Sequence, residues 1–243
     1  MEEREVMNVF DRGFVINLAS RTDRRREMER ELALAGPSLA PEHVEFFPAV
    51  RPDDAGPFPS IGARGCFLSH LEILKIARER GLRNVLFMED DLAVSPKFKT
   101  HSNAIAELLR STEWDIVYLG HVIPVAETDT IHLIPYHEYL MTTHFYVVHS
   151  RIFDRLITFL EVMLTRPDGH PDGGPMPLDG ALWTFRQQNS DVKTLIAEPN
   201  LGWQRSSRSD IAPRKWFDKV PIVSQLVAVA RRGKVWFETR RKR

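Results

Sequence analysis

A single cysteine, Cys66, occurs in 243 residues. No internal disulfide can form, so a disulfide-framework secreted scaffold is excluded and a reducing compartment is expected. Net charge is equally absent, with 33 Lys+Arg balancing 33 Asp+Glu. A general nucleic-acid binder needs a cationic surplus to neutralise phosphates, so that class is disfavoured. Long hydrophobic runs are missing too: the longest, VPIVSQLVAVA from Val220 to Ala230, is about half of the ~20 residues that a membrane-spanning helix requires. The opening MEEREVMNVFDR is charged and carries no apolar run, so it is not expected to be a signal peptide. Neither G-x-G-x-x-G nor G-x-x-x-x-G-K-[ST] occurs, which disfavours dinucleotide-binding oxidoreductases and P-loop enzymes. Zinc-type Cys/His spacing, a G-x-S-x-G elbow, internal repeats and low-complexity tracts are also lacking.

What the chain does have is an alternation of short apolar runs with amphipathic helical patterns, the rhythm of an α/β sheet. Its length suits one large domain or two small ones, and 43% hydrophobic with 27% charged residues is a soluble composition. GFVINL (Gly13 to Leu18) predicts a first strand. Ser20 and Asp23 then signal a capped helix in which Met28, Leu32 and Ala35 share a face before Gly36-Pro37. VEFFPAV (Val44 to Val50) is a second predicted strand. From Arg64 to Arg80, Phe67, Leu71, Leu74 and Arg78 share a face of a long helix ended by Gly81. NVLFM (Asn84 to Met88) reads as a buried strand, Ser95-Pro96 opens a helix with Ser as cap, and WDIVYLG is a further strand. IHLIP, THFYVV and VKTLIAEP are strand candidates; Ser150 to Leu164 is a predicted helix capped by Ser150, and Asp179 to Gln188 another. Between those helices TRPDGHPDGGPMP has four Pro and three Gly, so it is a loop, and its length marks it as functional or mobile.

Glu89-Asp90-Asp91 follows the NVLFM strand at once. Open α/β sheets bind ligands beyond the carboxyl ends of their strands. Three adjacent carboxylates repel one another unless a cation compensates, and the pleat sends Glu89 and Asp91 one way and Asp90 the other. Such hard oxygen ligands suit Mg²⁺ or Mn²⁺ bridging a diphosphate; the other reading is a solvated acidic turn. Asp179, in PLDGALW, either caps a helix or serves as the base that takes a proton from an incoming hydroxyl. His70, on the Arg64 to Arg80 helix beside Ser69, reads as buried and hydrogen-bonded. His144, beside two threonines, is a candidate for donor or acceptor contacts, and His170 falls in the loop. Arg21, Arg24, Arg25 and Arg26 form a helix face in water, with Arg21 and Arg24 placed to hold an anionic phosphate at the helix start.

Four blocks in this order, FVINLASRTDRR, GARGCFLSHLEIL, LFMEDDLAVSP and THFYVVHSRIFDRL, resemble glycosyltransferase family 25, the lipopolysaccharide and lipooligosaccharide glycosyltransferases related to collagen galactosyltransferases. PLDGALW and QRSSRSDI fit its closing motifs more loosely, and the match spans roughly Gly13 to Ile211. Ala63 stands where the family's second block has Glu, and Ala19 where an Asp usually follows INL. The resemblance implies a GT-A-like single domain, a Rossmann-like mixed sheet flanked by helices, at 13–211, after an N-terminal lead at 1–12. It implies inverting transfer of a sugar, such as the hexose galactose, from a nucleotide sugar to a hydroxyl of a cell-surface glycan or lipooligosaccharide. Asp91 with Glu89 would hold Mn²⁺ or Mg²⁺, Asp179 would be the base, and Asn17, Arg21, Ser69, His70, Asp90 and His144 would lie on the donor side.

From Arg214 to Arg243 ten Lys+Arg face only Asp218 and Glu238, so this stretch carries plus eight and the remainder minus eight. Ile222, Val223, Leu226, Val227 and Ala230 form an apolar stripe beside Arg231, Arg232 and Lys234, which predicts a basic amphipathic helical tail at 212–243. Such a segment either lies on an anionic membrane surface or docks on the domain. A cytoplasmic enzyme, peripheral on the inner membrane face and acting on a lipid-linked acceptor, is the expectation, with no nucleic acid as partner. Two other readings stay open: a non-catalytic nucleotide-sugar or glycan binder acting as an assembly partner, and a metal-dependent nucleotidyltransferase.

Overall fold

The protein is described by a computed structural model over residues 10–205. In chain order its elements are β1 (Arg12–Asn17), α1 (Thr22–Ala35), β2 (Val44–Pro48), α2 (Ile61–Glu79), β3 (Asn84–Glu89), β4 (Leu92–Val94), α3 (Pro96–Thr100) and α4 (Ser102–Ser111). There follow β5 (Ile116–Gly120), β6 (His132–Pro135), β7 (Phe145–His149), α5 (Phe153–Thr165), α6 (Leu178–Gln188), β8 (Thr194–Glu198) and β9 (Gly202–Gln204). Seven strands form one mixed sheet in the order β2-β1-β3-β7-β5-β8-β6, while β4 and β9 make a separate two-stranded ribbon. β7 runs antiparallel to both β3 and β5, and β6 antiparallel to β8; the other pairings in the large sheet are parallel. This is the mixed α/β sheet flanked by helices that the sequence predicts. The predicted tail at 212–243 lies outside the described residues.

Helices cover both faces, which explains why the central strands read as unbroken apolar runs instead of alternating patterns. Along β3, Val85 and Phe87 join a cluster with Phe67, Leu71 and Leu74 of α2, Leu156 and Leu160 of α5, and Leu182 and Phe185 of α6. Leu86 and Met88 join the opposite cluster with Met28 and Leu32 of α1, Phe98 of α3 and Ile105 of α4. Each of these four β3 side chains is fully buried. Burial of one such side chain is worth about 1.5–3 kcal/mol.

Helix starts differ from expectation where tertiary contacts override the local signal. α2 begins at Ile61, three residues before Arg64, because the Ser60 hydroxyl accepts the Ala63 N–H at 3.0 Å. Ala77 rather than the exposed Arg78 continues the buried stripe of that helix. α1 has Arg21 at its cap position with no side-chain cap bond; Asp23 pairs with Arg21 instead. Ser150 does not cap α5: Ser150–Ile152 form a 3-10 turn whose Arg151 N–H is accepted by His149 Nδ1 at 3.1 Å, and α5 starts at Phe153. The Ser95-Pro96 start is as predicted, yet α3 runs only to Thr100 before α4 resumes at Ser102.

α2 is seated on the chain after β2 by Gly65 and Ser69. A Cβ on Gly65 would stand 2.5 Å from the Val50 carbonyl oxygen, so the helix can approach only without a side chain there. One turn on, the Ser69 hydroxyl donates to the Gly65 carbonyl at 2.7 Å and accepts the Val50 N–H at 2.8 Å. Gly65→Ala should therefore push helix and loop apart and cost roughly 1–3 kcal/mol, read as a lower urea midpoint. An unchanged midpoint would refute this close approach.

Candidate active site

From β1 the chain turns to β2 on one side, then returns to β3 on the other side of β1. Sheets that reverse order in this way open a crevice beyond the carboxyl ends of the two strands. Asn17 ends β1 and Glu89 ends β3, so the crevice is floored by Asn17 and the acidic triplet.

The pleat sends neighbouring carboxylates to opposite sides of the sheet. Asp90 turns toward α1, where its Oδ1 accepts Arg24 Nη1 at 2.8 Å and its Oδ2 accepts Asn17 Nδ2 at 2.7 Å. All three residues are buried. The compensating charge that three adjacent carboxylates demand is therefore supplied in part by Arg24. Arg205 adds to it: its backbone N–H donates to the Asp91 carbonyl at 2.7 Å, its Nη2 to the Asp90 carbonyl at 2.9 Å, and its Nη1 pairs with Glu27 at 3.2 Å. The β4–β9 ribbon, with Leu92 opposite Gln204, is what carries the chain back to this turn.

Glu89 sits on the α2 side. Its Oε1 accepts the Thr143 hydroxyl at 3.0 Å and its Oε2 the Gln204 amide at 2.9 Å. Burial, then the neighbouring Asp91 charge, push the Glu89 carboxyl up to about 7 against the relief given by those two donors. Asp91 is raised as well, chiefly by burial; Arg24 draws it down, Asp90 opposes, and Arg205 draws it down further. Its Oδ1 is buried with no hydrogen-bond partner among the described residues.

On the same side of the sheet, Cys66 and His70 lie one turn apart on α2, with His70 Nδ1 2.9 Å from the Cys66 carbonyl and 3.7 Å from Sγ. Asp179 stands in the first turn of α6, whose cap position is Pro177, so it is not the helix cap. Its Oδ2 accepts the Tyr139 hydroxyl and its Oδ1 the Gly180 N–H, both at 2.8 Å. Burial pushes the Cys66 thiol up, and the charges of Glu89, Asp179 and Asp91 add to it.

Asn17, Glu89, Asp90, Asp91 and Asp179 are thus gathered at one end of the sheet. Arg21, at the cap position of α1, has its guanidinium on exposed Asp23. Ser69 is wholly buried and bonded to backbone, and His144 is buried with Nε2 3.3 Å from the Gly202 carbonyl. The loop at 166–177 is tied by Arg166 to the Asp172 and Gly173 carbonyls, and its His170 Nδ1 accepts the Asp172 N–H. Sequence reasoning missed Thr143, Tyr139, Gln204 and Arg205 as site residues. Thr143 carried a local signal, its place beside His144 ahead of a strand, and Gln204 and Arg205 open the loosely matching QRSSRSDI stretch.

The fold and site define an α/β domain with a carboxylate-lined crevice at its switch point. No protein-family model matches the chain. Procollagen galactosyltransferase 1 of Danio rerio is 30% identical over 79% of this chain and 36% of its own length. Inactive glycosyltransferase 25 family member 3 of Homo sapiens is 32% identical over 49% of this chain and 23% of its own. The chain spans only about a third or less of these relatives. A solved glycosyltransferase involved in glycosylation of the major capsid of PBCV-1 overlaps 65% of this chain and 67% of its own at 12% identity and a TM-score of 0.38. The chain is related to glycosyltransferase family 25, the family that its four motif blocks resemble.

Two buried histidines flank the crevice and set an acid limit. His121 Nε2 is 2.8 Å from the Ala197 carbonyl and its Nδ1 accepts the Ile123 N–H, so the ring is held neutral. Burial lowers its pKa, and burial lowers that of His144 to about 4, with the His121 charge opposing it further. Unfolded histidines titrate near 6.5, so between about 6.5 and 4 the unfolded chain binds more protons than the folded one and stability falls as pH falls. His70, also lowered to about 4 by burial, adds to this loss, while Glu89, raised to about 7, and Asp91 oppose it; with three histidines on the losing side, urea midpoints should drop from pH 7 to pH 5. His144→Gln should flatten that drop, and an equally steep drop in the variant would exclude His144 as a source. Arg24→Met should cost about 3 kcal/mol, since it strands Asp90 as an unpaired buried charge. A thermal-melt shift within error would contradict that.

Proposed function

We propose that this chain is an inverting, metal-dependent glycosyltransferase that moves a sugar, a hexose such as galactose, from a nucleotide sugar to a hydroxyl of a glycan or lipid-linked acceptor. The observation that carries the reading is the buried Asp91 oxygen, without a hydrogen-bond partner among the described residues, at the carboxyl end of β3, with Asp179 held by Tyr139 as the candidate base. Asp91 and Glu89 offer carboxylate oxygens raised in pKa chiefly by burial and then by neighbouring carboxylates of the triplet, a donor set that fits Mn²⁺ or Mg²⁺. When bound, such a cation supplies positive charge to the leaving diphosphate.

The chain's own residues do the rest. Asn17 and Arg24 hold Asp90, and through it the β3 turn, against β1 and α1. Arg21 contributes positive charge at the start of α1, where a phosphate would lie. His70 and His144 line the donor side, while Ser69 acts through the seating of α2. Asp179 takes the proton of the acceptor hydroxyl, and the Tyr139 hydroxyl on Oδ2 fixes the carboxylate's plane for that transfer. In this reading the transferase domain is 13–211, and the 212–243 tail brings the enzyme to the anionic inner membrane face.

A non-catalytic sugar-nucleotide binder is the second reading, favoured by the relative named inactive and by Ala19 and Ala63. Ala63, however, is the third residue of α2, where a Glu would close a capping box with Ser60. Its replacement removes half of a helix cap, and the Ser60 half persists.

A panel of nucleotide sugars with Mn²⁺ separates the two readings: the enzyme releases free sugar or nucleoside diphosphate, the binder only heat. Asp179→Asn should lower transfer roughly 100-fold to 10,000-fold while keeping nucleotide affinity. Asp91→Ala should abolish the Mn²⁺ dependence. Wild-type turnover in either variant removes that residue from its role.

A further inference from the structure

We propose that Cys66, His70 and Glu89 form a softer cation site on the α2 side of the crevice, one that takes Zn²⁺ in preference to Mn²⁺ or Mg²⁺. One potential ligand atom from each residue lies within 4.8 Å of the others, a grouping of sulfur, imidazole nitrogen and carboxylate oxygen. The Cys66 Sγ to His70 Nδ1 distance is 3.7 Å, near the about 3.5 Å edge that tetrahedral zinc sets between a sulfur and a nitrogen ligand. Glu89 keeps free lone pairs, because each of its oxygens accepts a single bond.

A second observation comes from the imidazole itself. His70 is only 1% exposed and stacks on Phe87 at 5.1 Å and Tyr146 at 5.9 Å, so its ring cannot swing away. Its Nε2 is buried without a hydrogen-bond partner among the described residues, although the Thr143 backbone carbonyl acts on the ring. A metal on Nδ1 would displace that atom's 2.9 Å contact with the Cys66 carbonyl and fix the proton on Nε2, with the Thr143 carbonyl as the acceptor it would turn to. Metal-ligating histidines characteristically place their other N–H on such a group.

Softness decides the metal. Thiolate and imidazole favour Zn²⁺, whereas Mn²⁺ and Mg²⁺ prefer the all-oxygen set at Asp91. Binding converts the Cys66 thiol to a thiolate on zinc and releases its proton to water. Three protein ligands leave the fourth tetrahedral position open to water or substrate. Glu89 is shared with the cation of the proposed transfer reaction, but the soft site stands on its own geometry and not on that activity.

Cys66 is the sole cysteine of the chain, so every thiol signal reports this site. The metal-free full-length chain titrated with Co²⁺ should develop near-ultraviolet thiolate-to-cobalt absorption that Zn²⁺ abolishes and excess Mn²⁺ does not. Zn²⁺ should slow alkylation of Cys66 by N-ethylmaleimide about tenfold or more. Cys66→Ser should lose the band and weaken Zn²⁺ binding by about tenfold or more. Asp91→Ala should keep the band. Absence of the band in the wild type, or unaltered alkylation with Zn²⁺, overturns the site without recourse to any variant. A persisting band in Asp91→Ala that has lost turnover supports both sites. An intact band in a chain that transfers no sugar from any donor refutes the transferase reading alone.

Discussion

The end of β3 is held by one buried ion pair. Asp90 accepts both Arg24 and Asn17 at hydrogen-bond distance, joining three elements, α1, β1 and β3, at a single carboxylate. A buried pair of this kind contributes little net stability, since removing two charges from water offsets most of their attraction. What it contributes is register. With Asp90 fixed toward α1, the pleat leaves Glu89 no face but that of α2, and the chain must turn through Asp91 into β4.

From that placement the site's electrostatics follow. Glu89 and Asp91 lie close together and partly shielded from water, with no lysine among the partners of either in the described residues. Burial raises both pKa values; the Asp91 charge adds to the rise of Glu89, while Asp91 is pushed up by Asp90 and relieved by Arg24 and Arg205. A folded protein tolerates such a frustrated cluster when binding relieves it. The neighbouring apolar clusters make that affordable: strands buried on both faces supply stability far from the crevice.

The α/β rhythm, the buried β3 run and the opposite facing of Glu89 and Asp90 were all legible in the sequence, because each depends on periodicity within a few residues. Helix starts were legible where the cap was local, as at Ser95, and illegible where it was not. At Ser150 the 3-10 turn is set by His149 and by the Ser150 N–H bonding back to the Arg83 carbonyl. The β4–β9 ribbon left no trace in three-residue strands that pair across more than a hundred positions, and with it went Gln204 and Arg205. Tyr139 was hidden for the same reason: its partner Asp179 lies 40 residues on.

Cys66 shows how a residue's meaning changes with its neighbours. In the sequence it excluded a disulfide and offered nothing else, since zinc motifs are read from paired Cys and His spacings along the chain. The i, i+4 step to His70 is half of such a spacing. The third ligand, Glu89, comes from the far end of an adjacent strand, and Asp90's grip on α1 is what turns it toward the helix. The interaction that turns Glu89 toward α2 thus also completes a sulfur and nitrogen set there, beside the triplet's carboxylates. One crevice thereby presents cation ligands of two hardnesses, with Glu89 between them.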